Sequence, residues 1–181
     1  FGTGSGLVTV NTYLGGFVVR RGTDLFTVAA NGTTQPGAGP GAASAVAARD
    51  TVLGFVEGDF QMPGTFEDTN GVSVGLGTPT DNIPLVVWVQ DRNQWLVINR
   101  GVAHWLTTKV ETMKQVPTRA GRTIVVDGET AIYPAFDRDG GIDLAFITPT
   151  STRTTHIGDD VADHYATVAA RDGGLAITWR Q

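Results

Sequence analysis

The chain has 181 residues, 41% of them apolar and only 17% charged, with a formal net charge of −5 and no cysteine. The missing thiols exclude disulfides, thiolate metal sites and a cysteine nucleophile, and they suit either redox compartment. The basic residues are scattered, and Lys109 and Lys114 are the only lysines, which excludes both the clustered basic face of a nucleic-acid binder and a polybasic membrane patch.

No apolar run approaches the ~20 residues of a spanning helix. The chain opens on Phe1, so no signal peptide is readable, and whether an initiator methionine or a processed leader precedes it stays open. The GTGSG of residues 2–6 has no preceding strand and no lysine at the right offset, so it reads as a flexible end rather than a phosphate cradle. LVTVNTY (7–13) alternates apolar and polar residues, FVV (17–19) follows a Gly-Gly pair, and DLFTVAANG (24–32) ends in an Asn-Gly turn signal. All three predict short strands. Residues 33–48, TTQPGAGPGAASAVAA, carry no charge and no large side chain. They predict a flexible loop or surface-draped arm, with one or two helical turns at most in the alanine-rich end.

VLGFVEGDF (52–60) returns to strand character, and the glycine-rich GVSVGLG (71–77) punctuates the chain beyond it. PLVVWVQ (84–90) and WLVIN (95–99) flank DRNQ (91–94) as a hairpin whose arms read as buried on both faces. GVAHWLTTKVETMKQ (101–115) has apolar residues near helical spacing, but its threonines favour an extended chain. TIVVDGETAIY (123–133) carries Asp-Gly between two apolar runs, and IDLAFI (142–147) puts Ile142, Leu144 and Phe146 on one face. YATVAA (165–170) and LAITW (175–179) flank RDGG as a terminal hairpin.

These elements predict an all-β fold, an antiparallel sandwich or barrel of about ten to twelve short strands with little helix, forming a single domain over residues 1–181. VAARD occurs at 46–50 and 168–172, but the flanking residues do not extend the match, so the repeat reads as coincidence.

HIGDDVADHY (156–165) holds two of the three histidines and three aspartates. On a helix, His156, Asp160 and His164 would line one face as a metal site requires. Gly158 inside the first turn, the thin apolar stripe and the hairpin reading of the following residues favour a polar loop instead. His104, in an apolar setting, reads as packed rather than as a third ligand. No serine lies in G-x-S-x-G. Glu57, Asp59, Glu67 and Asp68 could supply a glycosidase carboxylate pair but read as the solvated side of a strand. Asp137, Asp139 and Asp143 lack the full calcium-loop pattern. Trp88 is expected in the core. Trp95 and Trp105 are the candidates for an exposed sugar-stacking face, so a glycan is a possible ligand. No cofactor is expected, and no catalytic residue is assigned.

The strand-and-turn phrases GGFVVRRGTDLFTVAANGTTQPG (15–37), AARDTVLGFVEGDF (47–60) and AGRTIVVDGETAIYPAF (120–136) resemble structural proteins of tailed-phage virions, above all small capsid decoration or cement proteins. That resemblance implies a non-enzymatic β-protein on a virion or other extracellular surface, which packs against copies of itself or other subunits of a larger assembly. The alternatives are a carbohydrate-binding or adhesin module built on Trp95 or Trp105, and a metal-dependent hydrolase built on His156, Asp160 and His164.

Overall fold

The computed structural model describes residues 8–21, 24–37, 43–58, 61–79, 84–118, 120–136, 139–159, 166–171 and 174–179. The fold is all-β, as expected: the described residues form eighteen antiparallel strands and one 3-10 turn, with no α-helix. Where one domain is expected, the chain groups into two compact units, Phe1–Asn82 and Ile83–Gln181.

The first unit holds two sheets. β1 (Val8–Tyr13), β2 (Gly16–Arg21), β3 (Asp24–Val28) and β4 (Thr34–Pro36) form the first, each strand pairing with the next. β5 (Ala43–Arg49), β6 (Val52–Glu57), β7 (Pro63–Asp68) and β8 (Ser73–Pro79) form the second in the same way. Val18 and Leu25 of the first sheet meet Val46, Leu53 and Phe55 of the second in one core, with Tyr13 and Ala48 against its margin.

The second unit repeats the design. β9 (Leu85–Val89), β10 (Gln94–Asn99), β11 (Val102–Leu106) and β12 (Val110–Gln115) make the third sheet. β13 (Val125–Asp127), β14 (Thr130–Phe136), β15 (Ile142–Ile147) and β16 (Thr152–Gly158) make the fourth. β17 (Ala166–Arg171) and β18 (Gly174–Trp179) pair as a fifth. Leu96, Ile98 and Trp105 of the third sheet pack on Ala131, Tyr133 and Ile147 of the fourth. The other face of the fourth sheet, with Ile132, Leu144 and Ile142, packs on Val168, Ala166, Ile177 and Trp179.

The five sheets begin at Val8, Ala43, Leu85, Val125 and Ala166, a pitch of about 40 residues. Four-stranded meanders at such a pitch are the unit from which bladed and stacked β-repeat proteins are built. The repeated VAARD has a matching place: both copies close the first strand of their sheet, β5 and β17, and lead into a hairpin. The repetition is one of strand pattern with almost no repetition of residues, which is why self-similarity in the sequence does not reveal it.

Several expectations need correction. There are eighteen strands among the described residues rather than ten to twelve, because many are only three to six residues long and some are joined by turns without the usual Asn-Gly signal. The expected loop at 33–48 contains β4 and most of β5. Its alanines suit a closely packed strand, and Ala45, Val46 and Ala47 are all buried. GVSVGLG is mostly strand β8 rather than punctuation, with Val74 and Leu76 buried and Gly75 and Gly77 on the other face.

The hairpins at 84–99 and 123–133 form as expected, as do extended strands over 102–115. In the second of these hairpins Asp127 pairs with Thr130, so the two connecting residues are Gly128 and Glu129. Two other hairpins turn through consecutive positive-φ residues, Leu14–Gly15 (49° and 72°) and Arg100–Gly101 (48° and 74°). This is the type I′ geometry that matches the twist of the flanking strands. Gly101 is doubly constrained, since a Cβ there would lie 2.5 Å from Cγ2 of Thr118.

Candidate functional site

The histidine–aspartate stretch begins in strand. His156 lies near the end of β16, and the chain is strand again from Ala166, so the helical face that would align His156, Asp160 and His164 does not form. Asp160 and His164 themselves lie outside the described residues. The ladder pairs His156 with Asp143 on β15, which places His156 Nδ1 3.1 Å from Asp143 Oδ1. Its Nε2 is 3.2 Å from Asp159 Oδ1. Both ring nitrogens therefore face carboxylates, and the cluster is a solvent-exposed cross-strand contact. Among the described residues no group of three or more histidine, aspartate or glutamate side chains is placed to hold a metal ion.

The tryptophans reverse their expected roles. Trp95 is 2% exposed and Trp105 is fully buried, so neither presents a ring on which a sugar could stack. The reason is register: β10 and β11 lie between β9 and β12, and Trp105 points into the core shared with the fourth sheet. Trp88, expected in the core, is half-buried and donates from Nε1 to Gln90 Oε1 at 2.8 Å. Its ring meets Trp95 edge to face at 5.1 Å.

His104 is buried, with no hydrogen-bond partner for either ring nitrogen, and Trp105 Nε1 also lacks one. Burial pushes the His104 imidazole below its ordinary pKa. Burial, and secondarily the Glu67 carboxylate, pushes the Glu57 carboxyl up. Glu57 and Glu67 are both half-buried on the central strands β6 and β7 of the second sheet, while Asp59 lies outside the described residues. The Ser73 hydroxyl donates to Glu67 Oε1 at 3.2 Å, an exposed cross-strand contact between β8 and β7.

The most distinctive surface is one the sequence reading did not single out. In β1 the polar side faces inward: Asn11 donates from Nδ2 to the Val46 carbonyl at 3.2 Å, and the Tyr13 hydroxyl reaches the Thr51 carbonyl at 3.4 Å. Buried Arg20 on β2 donates from the same face to the Ser44 carbonyl. The opposite face of β1 and β2, with Val10, Phe17 and half-buried Val19, consequently lies toward solvent.

Register arranges that outer face in ranks. Val10, Val19, Phe26 and Pro36 are successive cross-strand partners, as are Thr12, Phe17, Val28 and Thr34, and Arg21 lies opposite Asp24 at one end. Val10 is 56% exposed and Phe17 45%. Leu14 projects from the hairpin tip at 64%. Half of the six large apolar residues that are exposed among the described ones thus belong to this hairpin; the others, Met62, Met113 and Leu175, are scattered. The alternation of LVTVNTY carries this signal, but a period of two does not say which of its two sets points inward.

No family model, no curated protein and no solved structure matches the chain.

Proposed function

We propose that this chain is a non-enzymatic structural module that works by packing against other protein, in the manner of a virion capsid decoration protein. One observation carries the reading. The first sheet is held to the second by hydrogen bonds from Asn11, Tyr13 and Arg20 as well as by Val18 and Leu25, and it turns a rank of valines and phenylalanines to solvent. A contiguous apolar surface rimmed by polar residues marks a protein contact site. The small charged fraction of the chain supports the same reading, because few charges have to be desolvated when surfaces meet.

The test combines two measurements on the purified chain: sedimentation velocity over a wide concentration range, and pelleting with tailed-phage particles. Self-association, or saturable pelleting with particles, is the expected result. A chain that stays monomeric throughout and fails to pellet with the particles overturns the reading.

A further inference from the structure

We propose that the outer face of the first sheet is a self-recognition surface, on which a second copy of this chain docks the same face about a two-fold axis parallel to the strands. The inference rests on the assembly reading above and adds the partner, the surface and the register.

The first argument is complementarity of the ranks. An axis running between β2 and β3 sets β2 of one copy over β3 of the other, and β1 over β4. Residues at the same level then meet: Val19 meets Phe26 of the second copy, Phe17 meets its Val28, Val10 meets its Pro36, and Thr12 meets its Thr34. Phenylalanine falls opposite valine at both central contacts, so large side chains interdigitate with smaller ones. The two sheets run nearly aligned, the usual arrangement for sheet-on-sheet packing.

Charge supplies the second argument. Among the described residues Arg21 and Asp24 are the only charged ones on this face, and within one chain they form an exposed ion pair of 3.8 Å. The same axis sets Arg21 of each copy over Asp24 of the other. Two opposite-charge contacts form and no like charges meet, although the whole chain carries −5. A different axis, perpendicular to the strands, would set each strand over itself and invert the order of the ranks, and lose both features. Isologous contact of this kind closes on itself, giving a dimer rather than a filament.

Size sets the strength. Four strands at about 4.8 Å spacing and about five residues at roughly 3.3 Å give a footprint of roughly 300 Å² per copy. That is well below the ~800 Å² per partner of a standard stable interface. The dimer is therefore weak and concentration-dependent, suited to a subunit that is held in place by many contacts in an assembly.

The absence of cysteine makes the decisive experiment clean. Thr12 and Thr34 are exposed, and the proposed axis brings Thr12 of one copy to Thr34 of the other while keeping like positions apart at opposite edges of the sheet. Thr12→Cys chains mixed with Thr34→Cys chains are expected to form an intermolecular disulfide under mild oxidation, and neither variant alone should do so. Phe17→Glu is expected to weaken self-association in sedimentation velocity at least tenfold, and Arg21→Glu likewise. Adding Asp24→Arg to Arg21→Glu should restore association.

Cross-linking of either variant with itself, or no cross-link in the mixture, overturns the proposed geometry. Self-association that is indifferent to Phe17→Glu also overturns it, yet leaves the assembly reading intact. So does a monomer that still pellets with particles.

Discussion

The first and fourth sheets are the same four-stranded meander, and they differ in how many of their faces are covered. In the fourth, Ala131, Tyr133 and Ile147 are buried against the third sheet, while Ile132, Leu144 and Ile142 are buried on the opposite side. In the first, only the face with Val18, Arg20 and Leu25 is covered. Coverage decides composition. A strand packed on both sides reads as a continuous apolar run, as in TAIYPAF and IDLAFI, whereas a strand packed on one side alternates. β1 alternates in the unusual sense, with its polar set inside. That is stable because Asn11 and Tyr13 each find a carbonyl on the neighbouring second sheet or its turn.

Doubly covered sheets have no slack for lost volume. Trp105→Ala is expected to destabilise by about 3–5 kcal/mol, the range for deleting a fully buried aromatic side chain, as measured by urea denaturation. Trp105→Phe should cost far less, because it keeps most of the packing and removes an indole N–H that has no hydrogen-bond partner. A Trp105→Ala variant with near-native stability would mean that the third and fourth sheets are not held together by this core.

His104 sharpens the same contrast on the acid side. Its ring is buried, and burial lowers its pKa in the fold, while the unfolded chain keeps the ordinary value of about 6.5. The unfolded state therefore binds the proton first. Stability is intact above about pH 6.5 and falls as pH drops from there toward the lowered folded value. Thermal melts of wild type and His104→Leu at pH 7 and pH 5 test this: the wild type should lose more stability than the variant between the two. Equal losses would show that His104 is not a source of acid lability.

A smaller effect of opposite sign is expected at Leu14. Its φ of 49° places a leucine in the left-handed region, which costs an ordinary L-residue roughly 1–2 kcal/mol. Asn at this first position of a type I′ turn is favoured, so Leu14→Asn should raise stability by about 1 kcal/mol in dilute solution, read from the denaturation midpoint. No gain would mean that Leu14 makes contacts in the isolated chain that offset the strain.

Most of the fold was legible because two signals are local. Alternation and turn chemistry give the hairpins at 84–99 and 123–133, and the apolar runs of PLVVWVQ and WLVIN give strands buried on both faces, whereas IDLAFI shows only the face of Ile142, Leu144 and Phe146. The face shared by Leu175, Ile177 and Trp179 comes from the same period, and it packs toward the fourth sheet through Ile177 and Trp179. The hidden part depends on which elements meet. Alanine-rich ASAVAAR reads as loop or helix by composition, and it becomes a strand because Val46 and Ala48 pack against the first sheet. Trp95 and Trp105 sit in strands that alternation alone leaves undecided between core and surface. The open face of β1 and β2 was missed for a related reason: the usual rule places valine inside, and only the hydrogen bonds of Asn11 and Tyr13 show that this strand turns the other way.

The smallest expected effect is therefore the most telling about the first sheet. Phe17→Ser removes a large aromatic side chain from a central strand, a change that would cost several kcal/mol if Phe17 lay in a core. With the ring 45% exposed, and its outer face free of any covering sheet in the isolated chain, the cost in dilute solution should stay within about 1 kcal/mol. Phe66, on a central strand of the second sheet and fully buried, is the matched control, and Phe66→Ser should lie in the core range. If Phe17→Ser instead destabilises the dilute chain as much as Phe66→Ser, the outer face is already covered within one molecule. A small loss at low concentration that grows as the chain is concentrated is the signature an open, self-recognising face requires, because only then does the side chain have something to pack against.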